Sequence, residues 1–120
     1  MTDEQIALAR RAVACKGWRW MPGMRWWTDD DHGRLDDFQP EYMGRPTDAL
    51  PDLSDPATLG CVLALVRQAW AYECACVLPL DYGPGGVWWV CRLAGNGRAL
   101  TERHWPTEAE ALVFALEATP

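Results

Sequence analysis

Serine occurs once in this chain, at Ser54, lysine once, at Lys16, and histidine only twice. Each scarcity removes a class of chemistry. Ser54 stands directly before Asp55 and reads as turn or cap chemistry, which leaves no serine nucleophile. With two histidines, the only nucleophile–base pair to consider is Cys91 with His104, and neither sits in a recognisable catalytic context. No apolar run approaches the roughly 20 residues needed to span a bilayer, and no leader segment is visible, so a soluble, cytoplasmic protein is expected. The five cysteines are odd in number and lie inside apolar runs, which predicts reduced thiols acting as small hydrophobes. Cys74 and Cys76 have neither redox nor zinc spacing. Repeats and low-complexity tracts are also lacking. Gly83 to Gly86 and Gly95 to Gly97 do not open helices, so they are turns and not phosphate cradles. No motif asks for a cofactor or a metal.

What the chain has in excess is tryptophan, eight in 120 residues. Trp is large and carries a polar N–H, so a domain of this size cannot hide all eight without leaving some at a surface. Ten of the eleven cations are arginine, the side chain that stacks on aromatics and pairs with planar anions. The net charge of −6 disfavours non-specific DNA binding. That charge is uneven: residues 1–28 carry +3, residues 29–55 carry −7 and the remainder −2.

The length fits a single domain over residues 1–120. Thr2 with Gln5 is a capping box that starts a helix near residue 3, with Ile6, Ala9 and Val13 on one face and Gly17 placed to end it. Trp18 to Met21 and Met24 to Trp27 alternate like strands. Between them, Met21-Pro22-Gly23-Met24 has the residues of a type II turn. Arg34 to Phe38 suggests a further short strand. Residues 39–54, acidic and proline-containing, should be irregular. Asp55-Pro56 opens a second helix with Leu59, Val62, Leu63, Val66 and Trp70 along one side, and Gly60 is read as admitting a neighbouring backbone. Tyr72 to Leu80 and Val87 to Leu93 read as strands, and Asn96-Gly97 as a hairpin leading to a third near Arg98 to Arg103. Thr107 with Glu110 caps a last helix whose inner face is Ala109, Leu112, Val113 and Leu116. The order α-β-β-(β)-α-β-β-β-α predicts an α+β fold, a largely antiparallel sheet of two meanders covered by three helices.

The helix ending at Gly17-Trp18, the Pro51-Asp52-Leu53-Ser54-Asp55 lead-in, the Trp-rich strand Val87 to Leu93 and the Thr107 to Leu112 helix together resemble small phage-encoded proteins of the phage ABA sandwich type. The resemblance implies a bacteriophage or prophage origin and a sheet covered by helices. It implies no catalytic residues.

Two clusters are candidate sites. Trp18, Arg19, Trp20, Arg25, Trp26 and Trp27 interleave rings and guanidinium groups that could stack a nucleobase and pair with phosphates, with Trp88 and Arg92 extending the surface. The alternative for the same residues is a core of tryptophans crossed by structural cation–π contacts. Asp29, Asp30, Asp31, Asp36 and Asp37 form an acidic segment suited to docking on a basic partner, or simply a solvated turn. The leading expectation is a non-enzymatic phage accessory protein that blocks or sequesters a host component of an antiviral defence system. Its ligand would be a host protein or a small nucleotide signal. The alternatives are a metal-dependent nuclease or hydrolase using Asp29–Asp31 and His32, and a morphogenetic phage protein whose aromatics form a homo-oligomer interface.

Overall fold

The computed structural model describes residues 1–35, 45–81, 86–92 and 104–119. Three helices and two small antiparallel sheets make an α+β fold among these residues. Helix α1 (Asp3–Val13) starts on the expected capping box: Thr2 Oγ1 accepts from Gln5 N at 3.1 Å, and Gln5 Oε1 accepts from Thr2 N at 2.9 Å. It ends earlier than expected, at Ala14. Gly17 serves packing instead, since a Cβ there would lie 3.2 Å from Leu116 Cδ1.

The first sheet has the order β2-β1-β3, with β1 Arg25–Trp27, β2 His32–Arg34 and β3 Leu50–Pro51. Trp26 pairs with Gly33 on one side and Pro51 on the other. Pro51 is tolerated because β3 is an edge strand. Residues 18–21 are not a strand, despite their alternation. Their neighbouring backbone groups close turns, Trp18 N on Cys15 O and Met24 N on Met21 O, and a strand needs a partner ladder. Of the expected Arg34 to Phe38 strand, Arg34 ends β2 (His32–Arg34) and Leu35 is outside it, while Asp36, Asp37 and Phe38 fall outside the described residues.

Helix α2 (Pro56–Ala69) begins as read, with Asp55 as N-cap and Pro56 in its first turn. Its buried line is Thr58, Val62, Leu65 and Val66, while Leu59 and Leu63 are only half-buried. The apolar stripe is therefore rotated from the expected one. Gly60 is exposed and nothing lies within 4 Å of its missing Cβ, so it admits no neighbouring backbone. At the other end Tyr72 N donates to Arg67 O and Ala71 N to Gln68 O, a Schellman closure with Ala71 at φ 51°. That closure consumes Tyr72, so the next strand starts at Cys76 and not at Tyr72.

Strands β4 (Cys76–Asp81) and β5 (Val87–Arg92) form the second sheet, with Cys76 opposite Arg92 and Asp81 opposite Val87. The outer end of this pair is open to solvent: Pro79, Leu80, Asp81 and Val87 are exposed. Trp105 bridges to Trp89 through a mutual pair of backbone bonds. The hairpin at Asn96-Gly97 and the strand near Arg98 to Arg103 lie outside the described residues. Helix α3 (Glu108–Glu117) packs against α1, α2, β4 and β5. Ala111 and Ala115 are buried along with the four residues of the expected face, so α3 is covered nearly all round. One buried cluster connects the helices to Trp26 of the first sheet, to Met24 and Leu35 at its ends and to Cys91 of the second sheet. No helix among the described residues is long and apolar enough to cross a membrane.

Two predictions follow from helix α2. Leu65, 1% exposed, should cost about 2–5 kcal/mol when cut to Ala, and half-buried Leu63 distinctly less. Equal losses in chemical denaturation would show that the stripe is misplaced. Glycine occupies an open helical position at residue 60 and is missing from the left-handed position at residue 71. Gly60→Ala and Ala71→Gly should each raise stability by roughly 0.5–1 kcal/mol, read as an increase in denaturation midpoint.

Candidate functional site

The aromatic front is shaped by its turn. Pro22 and Gly23 occupy the centre of the type II turn, and Gly23 takes the φ of 93° that this geometry requires. Gly23 N donates to Leu35 O at 3.0 Å and Leu35 N to Met24 O at 2.9 Å, which lays the turn across the end of β2. Strand β1 then alternates. Met24 and Trp26 point inward, while Arg25 and Trp27 remain half-buried. The Trp26 ring lies directly beneath Gly33, where a Cβ would sit 2.8 Å from Cζ2. At 5% exposure Trp26 is a core residue and cannot stack a ligand, which removes it from the recognition surface.

The structure brings together Trp18, Trp20 and Arg45. The Trp18 and Trp20 rings meet edge to face, with centroids 5.5 Å apart and planes at 87°. The Arg45 guanidinium carbon lies 4.6 Å from the centroid of Trp20. Arg45 had no place in the sequence-based site. Its partner is 25 residues away, and nothing local marks that pairing. Arg19 is exposed between the two rings in sequence. The buried indole N–H groups of Trp18 and Trp27 find no acceptor among the described residues. Trp88 and Arg92 are on β5, in the second sheet, and so do not share a strand ladder with β1.

Arg25 is less available than its sequence position suggested. Its backbone N–H donates to Thr58 Oγ1 at 2.8 Å, its Nε lies 3.7 Å from Asp52 Oδ2, and its Nη2 lies 3.4 Å from His32 Nδ1. Beside it, Arg34 grips Asp55 in a bidentate pair, with both N–O distances 2.9 Å, and Nη1 also donates to Gly23 O at 2.7 Å. Asp55 further accepts from Thr58 N and Thr58 Oγ1. The Arg34 guanidinium, followed by the Thr58 donors, holds the Asp55 carboxyl well below the usual carboxylate range.

The acidic segment forms the turn between β1 and β2. Thr28 Oγ1 accepts from Asp30 N and Asp31 N, and Asp31 Oδ1 from His32 N at 2.8 Å. Asp29, Asp30 and Asp31 are exposed. Among the described residues, no three His, Cys, Asp or Glu side chains converge to hold a metal. Cys91 is buried and its thiol donates to Ala111 O at 3.3 Å. Burial pushes that thiol up to about 12, so at neutral pH it is protonated and unsuited to nucleophilic attack. All five cysteines are free thiols.

No match was found. Family models, curated proteins and solved structures were all compared with the chain. The arrangement places the edge-to-face Trp18–Trp20 pair under the Arg45 guanidinium, and among the described residues no metal-binding cluster of His, Cys, Asp or Glu accompanies it.

The Asp55 hub has a pH signature. A carboxyl whose folded value is depressed stabilises the fold above its ordinary value near 4, and that contribution is lost as pH falls toward the folded value. Asp55→Asn should therefore destabilise clearly at pH 7, with the gap to wild type narrowing once the pH drops below about 4. A pH-independent gap in thermal unfolding would mean that the charge on Asp55 contributes nothing.

Proposed function

We propose that this chain is a non-enzymatic binding protein of the phage accessory kind, which occupies a host protein of an antiviral defence system. The reading is carried by the Trp18–Trp20–Arg45 cluster, with the cation seated 4.6 Å over one ring and exposed Arg19 alongside. Tryptophan and arginine are the residues enriched at the energetic centres of protein interfaces. Small ligands are usually held in concave sites, and two grooves among the described residues, one at the helix starts and one beside Cys15 and Leu116, carry no tryptophan in their lining. The edge-to-face ring pair with a cation over one ring is what favours a protein partner over a sequestered nucleotide. A hydrolase based on Asp29–Asp31 and His32 draws no support from the geometry: Asp31 is engaged by the His32 backbone and His32 faces the Arg25 guanidinium.

The test is capture from bacterial lysate on the immobilised full chain, with bound proteins and small molecules identified by mass spectrometry. Arg19→Glu reverses an exposed charge and should leave the fold intact. It and Trp20→Ala should each reduce capture of the same protein roughly tenfold, the effect of about 1.4 kcal/mol. Arg10→Glu, on the exposed face of α1, should leave capture unchanged. Capture indifferent to Arg19 and Trp20, or of a nucleotide alone, would overturn the proposal.

A further inference from the structure

The start of α1, the start of α3 and the lead into α2 meet around a groove of about 440 Å³. Its floor is apolar: Leu8 and Leu59 are half-buried and Leu53 is buried. Its rim carries Glu4, Glu108 and Glu110, and no Lys, Arg or His side chain lines it. Part of this acidity suits the helix N-termini, where carboxylates complement the macrodipole. The helices do not require the apolar floor, however, and each start already has a capping hydroxyl, Thr2 accepting from Gln5 N and Thr107 from Glu110 N. Among the described residues, Asp52, Asp55 and Glu117 are in ion pairs, whereas Glu4, Glu108 and Glu110 are in none. Three carboxylates outside any ion pair, set against the Met1 amine at the groove edge and the field of Arg11 on Glu110, leave a net-negative rim around an apolar trough, which complements an apolar anchor with cations on either side.

We infer that this groove docks a basic amphipathic segment of a partner protein, one or two large aliphatic or aromatic side chains lying on Leu8, Leu53 and Leu59 with flanking Lys or Arg facing the three glutamates. A groove of this size suits an anchor of that bulk. The attraction is between exposed charges, so it quickens encounter and weakens with salt. This surface shares no residue with the Trp18–Trp20–Arg45 cluster and stands or falls separately from it.

Three short fluorescein-labelled peptides test it by anisotropy on the full chain. One has central leucines flanked by lysine and arginine, one has the same leucines flanked by glutamate, and one keeps the cations with serine in place of leucine. The first should bind, and each of the others roughly tenfold or more weaker. Glu4→Gln combined with Glu108→Gln should weaken the first peptide by a similar factor and flatten its salt dependence. Exposed Glu4→Gln alone should give a smaller loss in the same direction, which serves if the double variant folds poorly. Arg19→Glu should leave peptide binding intact. The inference is overturned if the three peptides bind alike, if none binds, if the Gln variants are indifferent, or if sedimentation shows that a second copy of the chain fills the groove.

Discussion

Asp55 accepts hydrogen bonds from both terminal nitrogens of Arg34, from the backbone of Thr58 and from its hydroxyl, and most of the first half of the fold is fixed relative to that one carboxylate. It caps α2, so it sets where that helix begins. Through Arg34 it holds β2, and the same guanidinium reaches Gly23 O in the type II turn. Through Thr58, which is fully buried, it reaches the backbone of Arg25 in β1. A buried hydroxyl and a largely covered carboxylate would be costly if left unpaired, and here every bond supports another. Three segments with little local propensity, a turn and two strands of three residues each, are thereby held against a helix that has strong propensity of its own.

The tryptophans divide according to what their polar handle does. Trp70 donates to Ala115 O at 2.9 Å and ties α2 to α3. Trp105 stacks on Phe114 with centroids 4.7 Å apart while its backbone bridges to Trp89, which joins the second sheet to α3. Trp26 gives up its N–H altogether and is retained for ring area under Gly33. Much of the aromatic content thus replaces ordinary aliphatic core in a small domain, where a single large ring can connect two elements. What remains near the surface is Trp18, Trp20, Trp27 and Trp88, all half-buried.

Legibility in the sequence followed the range of each interaction. The caps at Thr2, Asp55-Pro56 and Thr107 and the turn at Pro22-Gly23 involve residues one to three apart, and the structure has them where the residues say. Alternation at Trp18 to Met21 misled because alternation describes faces, not partners, and no ladder forms there. The stripe on α2 was rotated because a helix with apolar residues on several sides leaves its neighbours to choose the buried one. Arg34–Asp55 and Arg45–Trp20 span 21 and 25 residues and leave no local trace. Whether a Trp faces in or out is equally hidden, since the same side chain suits both places. The aromatic cluster was visible as composition, and its membership was not.

Net charge hides a similar division of labour. A carboxylate recruited by the fold acquires a cation, as at Asp52, Asp55 and Glu117, and its field is largely cancelled at a distance. The structure uses Arg11, Arg25 and Arg34 in this way, so cations from the positive front and the acidic segment go to internal pairing. Arg45 is likewise spent on Trp20. Among the described residues, carboxylates outside any ion pair include the glutamates around Leu8 and Leu59 and the Asp29–Asp31 turn. An excess of six negative charges over a chain of 120 residues would be weak if spread evenly. Sorted by tertiary pairing, it leaves a ring-bearing cluster at Trp18 and Trp20 with Arg19 exposed beside it in sequence, and an acidic trough at the helix starts. Surfaces of unlike character on one small fold favour docking poses that bring opposite charges together, because poses that juxtapose like charges are repelled.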